Sequence, residues 1–521
     1  MGLKVQSRTR VWCPAVTARL RPTWVPEQAR RYRRPGGPWD VPTLDALLGT
    51  HGGEVVDGAT RLSAGQADAL VATVAGGLRQ RGVRRGEAVA WQVPNSLAAT
   101  VLTRACWRIG AVAAPVLHSF GAADVEAALG QIDPALVLEL GTEAFSDPAA
   151  LADAVGGEPV PAGTFPSRPS DVALVLFTSG STGVPKAVLH TQRGLSWKAS
   201  LMARVHGLGP ADAVLMPAPM AHISGLLNGV LVPGAAGLRS VLVRRFDPEQ
   251  ALALVERECI SFLAGPPTFF LAMARALAER PGTDVSSVRL VSSGGASVTP
   301  AFVEDTARTF DCRVKRTYGS TEAPTVTTST DDDPFEKARD TDGRAVGAVE
   351  LRIADPETGA RCGTGAPGEL WVRGPEMFAG YADAAQTGTV IAHGGWFRTG
   401  DLATIDRDGW VRIVGRLKDV IIRGGENISA SEVEAALEAH PDVHHAVAVG
   451  YPDPLMGERV AAFVESAAPF DLEECRRWFA GRGMATFKTP EKVERLDHLP
   501  LLGSGKPDRA ALQRRAADSD R

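Results

Sequence analysis

Residues 171–188 read DVALVLFTSGSTGVPKAV, in which an apolar run leads into a loop of glycine, serine and threonine that ends at Lys186. The apolar run has the length and composition of a buried strand. Glycine lets a backbone approach a polyphosphate closely, amide and hydroxyl groups donate to its oxygens, and an ammonium offsets its charge. The segment therefore predicts an α/β fold with a polyphosphate loop, although an unrelated Gly/Ser-rich turn has the same composition. It is not a G-x-x-x-x-G-K-[ST] loop, because no serine or threonine follows the lysine.

The chain up to about residue 415 alternates short β-branched apolar runs with longer Ala/Leu-rich stretches of helical period. This alternation is typical of an α/β protein with largely parallel sheets. We expect, for example, a strand over 87–93, a helix over 96–109 and a strand over 111–116. After residue 342, short strands separated by glycine turns predict a β-rich subdomain.

The C-terminal part of the chain predicts a second compact unit. Helices are expected over 430–439 and 471–481, and strands over 420–422, 443–450, 458–464 and near residue 493. A βαββαβ unit of this size can fold as a domain. We therefore divide the chain into an unassigned basic N-terminal tail (1–26), a large domain (27–415) and a small C-terminal domain (416–521), with a short hinge between the two domains.

Composition excludes several classes of function. The chain has 521 residues, of which 44% are apolar and 22% charged, as in an average soluble globular protein. Its net charge of -4 disfavours nucleic-acid binding, and no apolar run approaches the roughly 20 residues that span a bilayer. Its six cysteines lack the spacing of a zinc site. We expect a cytoplasmic protein with reduced thiols, no nucleic-acid partner and no membrane span.

Further motifs follow the loop along the chain. They are Pro219–Gly225, Gly265–Thr268, Ser293–Ala296, Tyr318–Glu322, Gly368–Trp371, Trp396–Asp401, Gly415–Asp419, Gly424–Asn427 and Gly505-Lys506. Together with residues 177–186 they resemble the signatures of the adenylate-forming superfamily, which includes acyl-CoA synthetases and firefly luciferase. The resemblance covers about residues 27–512, and residues 89–95 and 219–228 look most like the cyclohexanecarboxylate and medium-chain acyl-CoA ligases. It implies a large N-terminal domain of α/β subdomains plus a β-rich subdomain, and a small, mobile α+β C-terminal domain.

The resemblance also implies a reaction. The family transfers AMP from ATP to a carboxylate, expels pyrophosphate, and then passes the acyl group to a thiol such as that of CoA. Carboxylate and α-phosphate are both anionic, and two unit charges about 4 Å apart repel by about 4 kcal/mol at an effective dielectric of 20. Cations must cancel this repulsion. By resemblance, Glu322 holds Mg²⁺, Thr321 touches the phosphate, and Lys506 bridges carboxylate and α-phosphate.

The nucleotide site is implied by several of these motifs. Tyr318 is expected to stack on adenine, with Gly294, Gly295 and Ala296 as the opposite wall, unless it is a tyrosine of the core. Asp401 and Arg416 are expected to bind the ribose hydroxyls, although a lone charged residue in a turn is usually solvated. The implied nucleotide-binding residues are Thr178, Ser179, Gly180, Ser181, Thr182, Gly183, Lys186, Gly294, Gly295, Ala296, Tyr318, Gly319, Thr321, Asp401, Arg416 and Lys506.

Two further groups are implied for the acyl and thiol substrates. The small domain is expected to rotate about Lys418 and to present Gly424 and Gly425 to the pantetheine arm of CoA. His222 is expected to border the acyl pocket and control entry of the carboxylate, the alternative being an ordinary core histidine. The implied acyl pocket is His222, Ile223, Ser224, Gly225, Thr268, Gly294 and Gly319, and the implied catalytic residues are Lys506, Glu322, Thr178, Lys186 and His222. Amino-acid-activating relatives have an acidic residue just after the position of His222, where this chain has Ile223, so an uncharged acyl tail fits better.

The sequence therefore predicts an ATP- and Mg²⁺-dependent acyl-CoA synthetase for a medium-chain, alicyclic or aromatic carboxylate. Its expected partners are a small carboxylic acid and CoA, and a homodimer stays open. One alternative is a stand-alone adenylating enzyme that loads a carrier protein. A second is a non-catalytic nucleotide-binding protein, against which the presence of Lys186, Glu322, Asp401, Arg416 and Lys506 argues.

Overall fold

The strands of the protein form four sheets. The computed structural model describes residues 20–49, 53–165, 167–178, 185–296, 298–423, 426–482, 484–502 and 506–518. Within these ranges, three sheets come from residues up to Arg416 and the fourth from Val420 onward. The predicted fold class is confirmed, with two α/β sheets and a β-rich sheet in the large N-terminal part and a small α+β unit at the C-terminal end.

The first sheet contains the strand that precedes the predicted polyphosphate loop. In spatial order its strands are Leu136–Leu138, Ala88–Trp91, Val112–Pro115, Val172–Thr178 and Lys186–Thr191. All neighbours are parallel except the last pair, in which Thr178 lies opposite Lys186. The two ends of the loop are therefore adjacent. The predicted helix over 96–109 is observed as Leu97–Arg108, begun by Ser96, whose side chain accepts a hydrogen bond from the amide of Ala99.

The second sheet is the largest. In spatial order its nine strands are Arg344–Ala345, Thr327–Thr328, Arg313–Tyr318, Leu290–Gly294, Phe262–Gly265, Ala213–Met216, Arg239–Leu242, Val55–Asp57 and Thr60–Leu62. The strands from Arg313–Tyr318 to Val55–Asp57 are parallel to one another. Carboxyl ends of neighbouring parallel strands meet at one edge, which brings Gly294 beside Thr317.

Helices cover the faces of these two sheets. The described α-helices of the large part are Ala29–Tyr32, Leu44–Leu48, Ala64–Gln80, Leu97–Arg108, Ala122–Ile132, Pro148–Val155, Gln192–Val205, Ile223–Leu226, Val232–Ala236, Pro248–Glu258, Pro267–Glu279, Pro300–Phe310, Phe335–Asp340 and Ala384–Val390. Helix Leu97–Arg108 is buried at every position, because it lies in the core between the first and second sheets. Among the described residues, no helix combines the length and the apolar character needed to cross a bilayer.

The third sheet is antiparallel throughout. Its strands are Glu350–Ala354, Gly368–Arg373, Trp396–Ile405, Ile391–Ala392 and Val411–Arg416. Asp401 and Arg416 are direct partners across two neighbouring strands. The register of this sheet therefore places two predicted nucleotide-binding side chains next to each other.

The C-terminal sheet has one strand more than predicted. Its strands are Glu426–Ser429, Val420–Arg423, Gly457–Ser466, Val443–Asp453 and Lys492–Arg495, and its helices are Ala430–Glu438, Leu472–Gly481 and Arg509–Asp518. The strand Glu426–Ser429 was not predicted, because its four residues alternate too briefly to give a strand signal. The helix Arg509–Asp518 was also not predicted, because it buries only Leu512 and Ala516 and so has little amphipathic pattern.

The end of the predicted basic tail packs against the large part of the protein. Leu20 is buried beside the first sheet. Thr23 donates its amide to the carbonyl of Ala379 at 2.9 Å and its hydroxyl to the carbonyl of Tyr381 at 2.8 Å. Residues 1–19 lie outside the described ranges. The described end of the tail thus helps to hold the segment around Tyr381.

Candidate active site

Two neighbouring strand ends of the second sheet form the wall of a cleft. Gly294 ends one strand and Tyr318 ends the next. A Cβ on Gly294 would lie 2.0 Å from the carbonyl oxygen of Thr317, and a Cβ on Gly319 would lie 2.4 Å from the amide nitrogen of Thr325. Only glycine fits either position. Ala296 follows Gly294 and is half-buried, so the predicted adenine wall and Tyr318 lie at the same sheet edge.

Tyr318, Asp401 and Arg416 form one hydrogen-bonded cluster. The Tyr318 hydroxyl donates to Oδ2 of Asp401 at 2.5 Å, and Nε of Arg416 donates to Oδ1 at 2.7 Å. Burial, reinforced by the negative charge of Asp401, raises the pKa of Tyr318 well above its ordinary value, so the phenol stays protonated. Each oxygen of Asp401 keeps a second lone pair. The carboxylate can therefore accept from ribose hydroxyls while it keeps both protein donors.

Glu322 is held by a tyrosine that was not predicted. The Tyr381 hydroxyl donates to Oε1 of Glu322 at 2.8 Å, and the amide of Phe378 donates to the carbonyl oxygen of Glu322 at 2.7 Å. The Nζ atom of Lys186 lies 5.2 Å from the centre of the Tyr381 ring. Burial, with the charge of Glu322, raises the pKa of Tyr381. The sequence signal was available but weak, since the chain has only four tyrosines.

The donor chemistry around Glu322 fits Mg²⁺. Its second oxygen, Oε2, has no hydrogen-bond or ion-pair partner among the residues that the structure describes. Mg²⁺ binds hard oxygen ligands and is commonly held by one or two carboxylates together with substrate phosphates. The described part of the chain contains no cluster of three or more His, Cys, Asp or Glu residues that would hold a metal without a substrate. A carboxylate with one free oxygen is what such a nucleotide-bound ion requires.

A buried lysine, Lys198, contacts the backbone three residues after Glu322. Nζ of Lys198 donates to the carbonyl of Thr325 at 2.6 Å and to Oε1 of Glu376 at 3.1 Å, and both charged side chains are buried. Thr325 has a φ of 41°, which a β-branched residue rarely adopts. His190, whose pKa is lowered to about 4 by burial, is hydrogen-bonded to the backbone of Thr321. Neither Lys198 nor His190 was predicted, because each acts through the backbone of a distant segment.

The small C-terminal unit brings Lys506 into this cleft. A Cβ built on Gly295, which has a φ of 79°, would lie 3.7 Å from Cε of Lys506. The lysine keeps solvent exposure along its side chain, yet the protein atoms around it lower its pKa, and the positive charge of Arg416 acts in the same direction. Asp401 and Glu322 oppose this shift. The amine is therefore electrostatically coupled to the predicted ribose and metal ligands of the large part.

His222 lies near the same amine. Its Nε2 atom is buried without a hydrogen-bond partner among the described residues. Burial, together with the positive charges of Lys506 and His118, lowers the pKa of His222 to about 4. The imidazole is therefore neutral at physiological pH. His118 was not predicted, because it lies in the loop after a strand of the other α/β sheet.

The predicted acyl-pocket residues lie on two helices and the glycine wall. His222 precedes the helix Ile223–Leu226, which contains Ile223, Ser224 and Gly225. A Cβ on Gly225 would lie 2.1 Å from the carbonyl oxygen of Pro219, so the turn into this helix requires glycine. Thr268 lies in the first turn of helix Pro267–Glu279. Ile223, and not an acidic residue, follows His222. The uncharged acyl tail that we expect from this difference stays a prediction.

Three predicted groups lie at or beyond the limits of the described chain. Thr178 and Lys186 are described, and Ser179, Gly180, Ser181, Thr182 and Gly183 between them lie outside the described residues. Gly424 and Gly425 also lie outside them. Lys418 lies in the short 3₁₀ turn Leu417–Asp419 and is exposed.

Comparisons with known proteins identify the family of this chain. Residues 49–382 match the family model described as AMP-binding enzyme, and residues 432–506 match that of the AMP-binding enzyme C-terminal domain. The chain is 31% identical to the medium-chain fatty-acid–CoA ligase of Escherichia coli (strain K12), over 86% of this chain and 84% of that one. It is 33% identical to the feruloyl-CoA synthase of an Amycolatopsis species, over 92% of this chain and 98% of that one.

A solved structure shows the same fold. The crystal structure of ATP-bound MatB from Rhodopseudomonas palustris superposes with a TM-score of 0.83 and 28% sequence identity, covering 92% of this chain and 99% of that one. The family model alone covers more than half of the sequence. The resemblance predicted from the motifs is thus confirmed, and this chain belongs to the AMP-binding enzyme family.

Proposed function

We propose that this protein is an ATP-dependent acyl-CoA synthetase, an acid–thiol ligase that forms AMP. In the first step the carboxylate oxygen attacks the α-phosphorus of ATP, the bond to the β-phosphate oxygen breaks, and acyl-AMP and pyrophosphate form. In the second step the thiol of CoA attacks the acyl carbon, loses its proton, and releases AMP as the acyl-CoA thioester forms. The observation that carries the proposal is the position of Lys506 beside Gly295, where its amine interacts electrostatically with Asp401 and Glu322.

Lys506 acts on the first step through charge. Both reactants are anionic, and negative charge accumulates on the phosphate oxygens as they approach. A positioned cation aimed at this developing charge is worth about 3 to 4 kcal/mol in the transition state. Arg416, which ion-pairs with Asp401, keeps the ribose in register while the ammonium of Lys506 approaches the reacting oxygens. Mg²⁺ held by Glu322 would neutralise charge on the phosphates and thereby assist release of pyrophosphate.

The groups near His222 favour a carboxylate with an uncharged tail. The imidazole is neutral, so it can border an apolar acyl group without introducing a charge. Ile223 occupies the position after it and packs against the main hydrophobic core. Relatives named for a medium-chain fatty acid and for ferulate support the same substrate class. We infer a medium-chain, alicyclic or aromatic carboxylic acid.

The second step requires a change in the small domain. We propose that residues 27–415 form the large domain and residues 416–521 the small one, with the hinge at Lys418. The connection between the third and fourth sheets is the single 3₁₀ turn Leu417–Asp419. A rotation there would withdraw Lys506 and present Gly424 and Gly425 to the pantetheine arm of CoA.

A panel of carboxylic acids assayed for pyrophosphate release, with and without CoA, tests the proposal. We expect acyl-CoA and AMP to form in equal amounts with medium-chain, alicyclic or aromatic acids. Release of free acyl-adenylate that CoA does not consume would favour the carrier-loading alternative. ATP binding without pyrophosphate exchange for any acid would refute the adenylating function.

A further inference from the structure

Tyr381 connects two groups of opposite charge that the nucleotide site needs. Its hydroxyl donates to Oε1 of Glu322 at 2.8 Å, and its ring faces Nζ of Lys186 at 5.2 Å. A cation within about 6 Å of an aromatic centroid is attracted to the ring face. Lys186 forms no ion pair with any carboxylate in the described part of the chain. The tyrosine thus contacts both the cation and the anion, and each keeps capacity for a ligand.

The tyrosine is itself held on several sides. Its amide donates to Oγ1 of Thr387 at 2.9 Å, and its carbonyl accepts from Oγ1 of Thr23 at 2.8 Å. Its ring packs edge-on against Phe378 at a centroid distance of 5.1 Å, and the residue is only 4% exposed. A side chain held in this way has little rotational freedom. Its hydroxyl therefore points in one direction, toward Glu322.

The backbone of Glu322 is held by the same segment of chain. The amide of Phe378, three residues before Tyr381, donates to the carbonyl oxygen of Glu322 at 2.7 Å. Main chain and side chain of the carboxylate are therefore both set by residues 378–381. Oε1 is occupied by the tyrosine, and Oε2 is left without a partner among the described residues.

We propose that Tyr381 is a positioning residue for the nucleotide-bound divalent cation. Its hydroxyl fixes the carboxylate of Glu322 so that Oε2 is left for the metal, and its ring face contacts the ammonium of Lys186. Without the hydroxyl, the Glu322 carboxylate is free to turn, and Oε2 is no longer held in place for the metal. The inference rests on the proposed function for the identity of the nucleotide, and its effect is on metal binding rather than on the acyl chemistry.

The test compares metal-bound with metal-free nucleotide in Tyr381→Phe, which keeps the ring and removes only the hydroxyl. Mn²⁺ replaces Mg²⁺ so that binding of Mn·ATP is read by electron paramagnetic resonance, without any carboxylic acid present. Loss of an outer hydrogen bond to a metal ligand typically weakens metal affinity by about 10- to 100-fold. We expect this loss for Mn·ATP, with the affinity for ATP in excess EDTA unchanged.

Tyr32→Phe is the matched control. The Tyr32 hydroxyl is also buried but has no hydrogen-bond partner among the described residues, and the ring packs with Ala29 and Trp39. We expect Tyr32→Phe to bind Mn·ATP as the wild type does. Thr387→Val, which removes the acceptor of the Tyr381 amide, should produce a smaller selective loss. It provides a second reading should Tyr381→Phe fold poorly.

A double-mutant cycle locates the effect. Because the hydroxyl acts through Glu322, Tyr381→Phe should have no further effect on Mn·ATP affinity in a Glu322→Gln background. Unchanged Mn·ATP affinity in Tyr381→Phe, equal losses with and without metal, or additive losses in the cycle would each overturn the proposal. These outcomes need no turnover, so they are separate from a failure of the proposed synthetase activity, which would appear as missing pyrophosphate exchange in the wild type.

Discussion

The two sides of the cleft are built in different ways. On the large side, Asp401 lies within the strand Trp396–Ile405 and is 4% exposed. It pairs with Arg416 and accepts from Tyr318, each of which ends its own strand. On the small side, Lys506 is exposed, and its loop is closed by backbone hydrogen bonds from the Leu502 amide to the Lys506 carbonyl at 2.7 Å and from the Asp508 amide to the Pro500 carbonyl at 2.8 Å. The large side is therefore preorganised for the nucleotide, whereas the lysine can be moved without breaking a packed core.

Because of this difference, we expect a substitution of Lys506 to impair one half-reaction and to spare the other. Lys506→Ala should slow formation of acyl-adenylate by at least about 10²-fold, because a charge aimed at the transition state is lost. Thioester formation from supplied acyl-adenylate should survive. Pyrophosphate exchange and acyl-CoA release, measured on the same preparation, check this.

Lys488→Ala provides the control for Lys506→Ala. Lys488 lies in the same small unit, pairs with Glu432 at 2.6 Å, and belongs to none of the predicted substrate groups. It should leave both half-reactions unchanged. A loss of both steps in Lys506→Ala, or of neither, would contradict the assignment of the lysine.

For the proposed hinge residue we expect the opposite result, in which the first half-reaction persists and the second is lost. Lys418 lies in a 3₁₀ turn, and the φ typical of such turns is close to the value that proline requires, so we expect Lys418→Pro to be accommodated in the observed orientation. The rigid ring should oppose rotation into a second orientation. We expect pyrophosphate release to persist and acyl-CoA formation to stop, as measured by single-turnover assays. Equal loss of both activities would count against a hinge at this residue.

A substitution on the large side should have a smaller effect than those at Lys506 and Lys418, and this effect should be on nucleotide binding. Asp401→Asn keeps the shape but removes the charge that Arg416 and Tyr318 share. Hydrogen bonds to charged groups are worth about 1.5 to 3 kcal/mol, so the KM for ATP should rise by about tenfold or more. Steady-state pyrophosphate assays with varied ATP measure it. Asp408→Asn, an exposed residue of a nearby turn, should leave this KM unchanged, and an unaltered KM in Asp401→Asn would remove the ribose assignment.

The smallest effect on turnover is expected at the ion pair of Arg509 and Glu434, which lies just after the Lys506 loop and should affect mainly folding stability. Arg509 donates to Glu434 at 2.6 Å and to the carbonyl of Ala448 at 2.8 Å. Burial raises the pKa of Glu434 to about 7 from an ordinary value of 4.5. The folded protein therefore holds this proton more tightly than the unfolded chain does. The stability it contributes is complete below about pH 4.5 and is lost as the pH rises through about 7.

Glu434→Gln should remove that pH dependence. Relative to the wild type, the variant should gain on the order of 2 to 3 kcal/mol of unfolding free energy between pH 5 and pH 8. Melting temperatures of both proteins across this range measure the difference. A constant difference between the two curves would show that Glu434 does not titrate in this window.

Some of these features were predictable because the signals are local. The strand before residue 178, the helix begun by Ser96 and the glycine-rich motifs are each contained in a short stretch with a clear period or composition. A candidate role that depends on one motif, such as that of Glu322 in residues 318–322, could be proposed for the same reason and stays a prediction. The strand Glu426–Ser429 and the helix Arg509–Asp518 were missed because their local patterns are short or weak.

The family, the fold class and the order of the motifs could all be predicted from the amino-acid sequence, since each depends on neighbouring residues. The residues that support these motifs from distant parts of the chain became evident only in the folded protein. Tyr381 reaches Glu322 across 59 positions of chain, and Lys198 reaches the carbonyl of Thr325 across 127. Such contacts follow from how sheets and loops pack in three dimensions, and no local pattern of hydrophobicity or propensity encodes them.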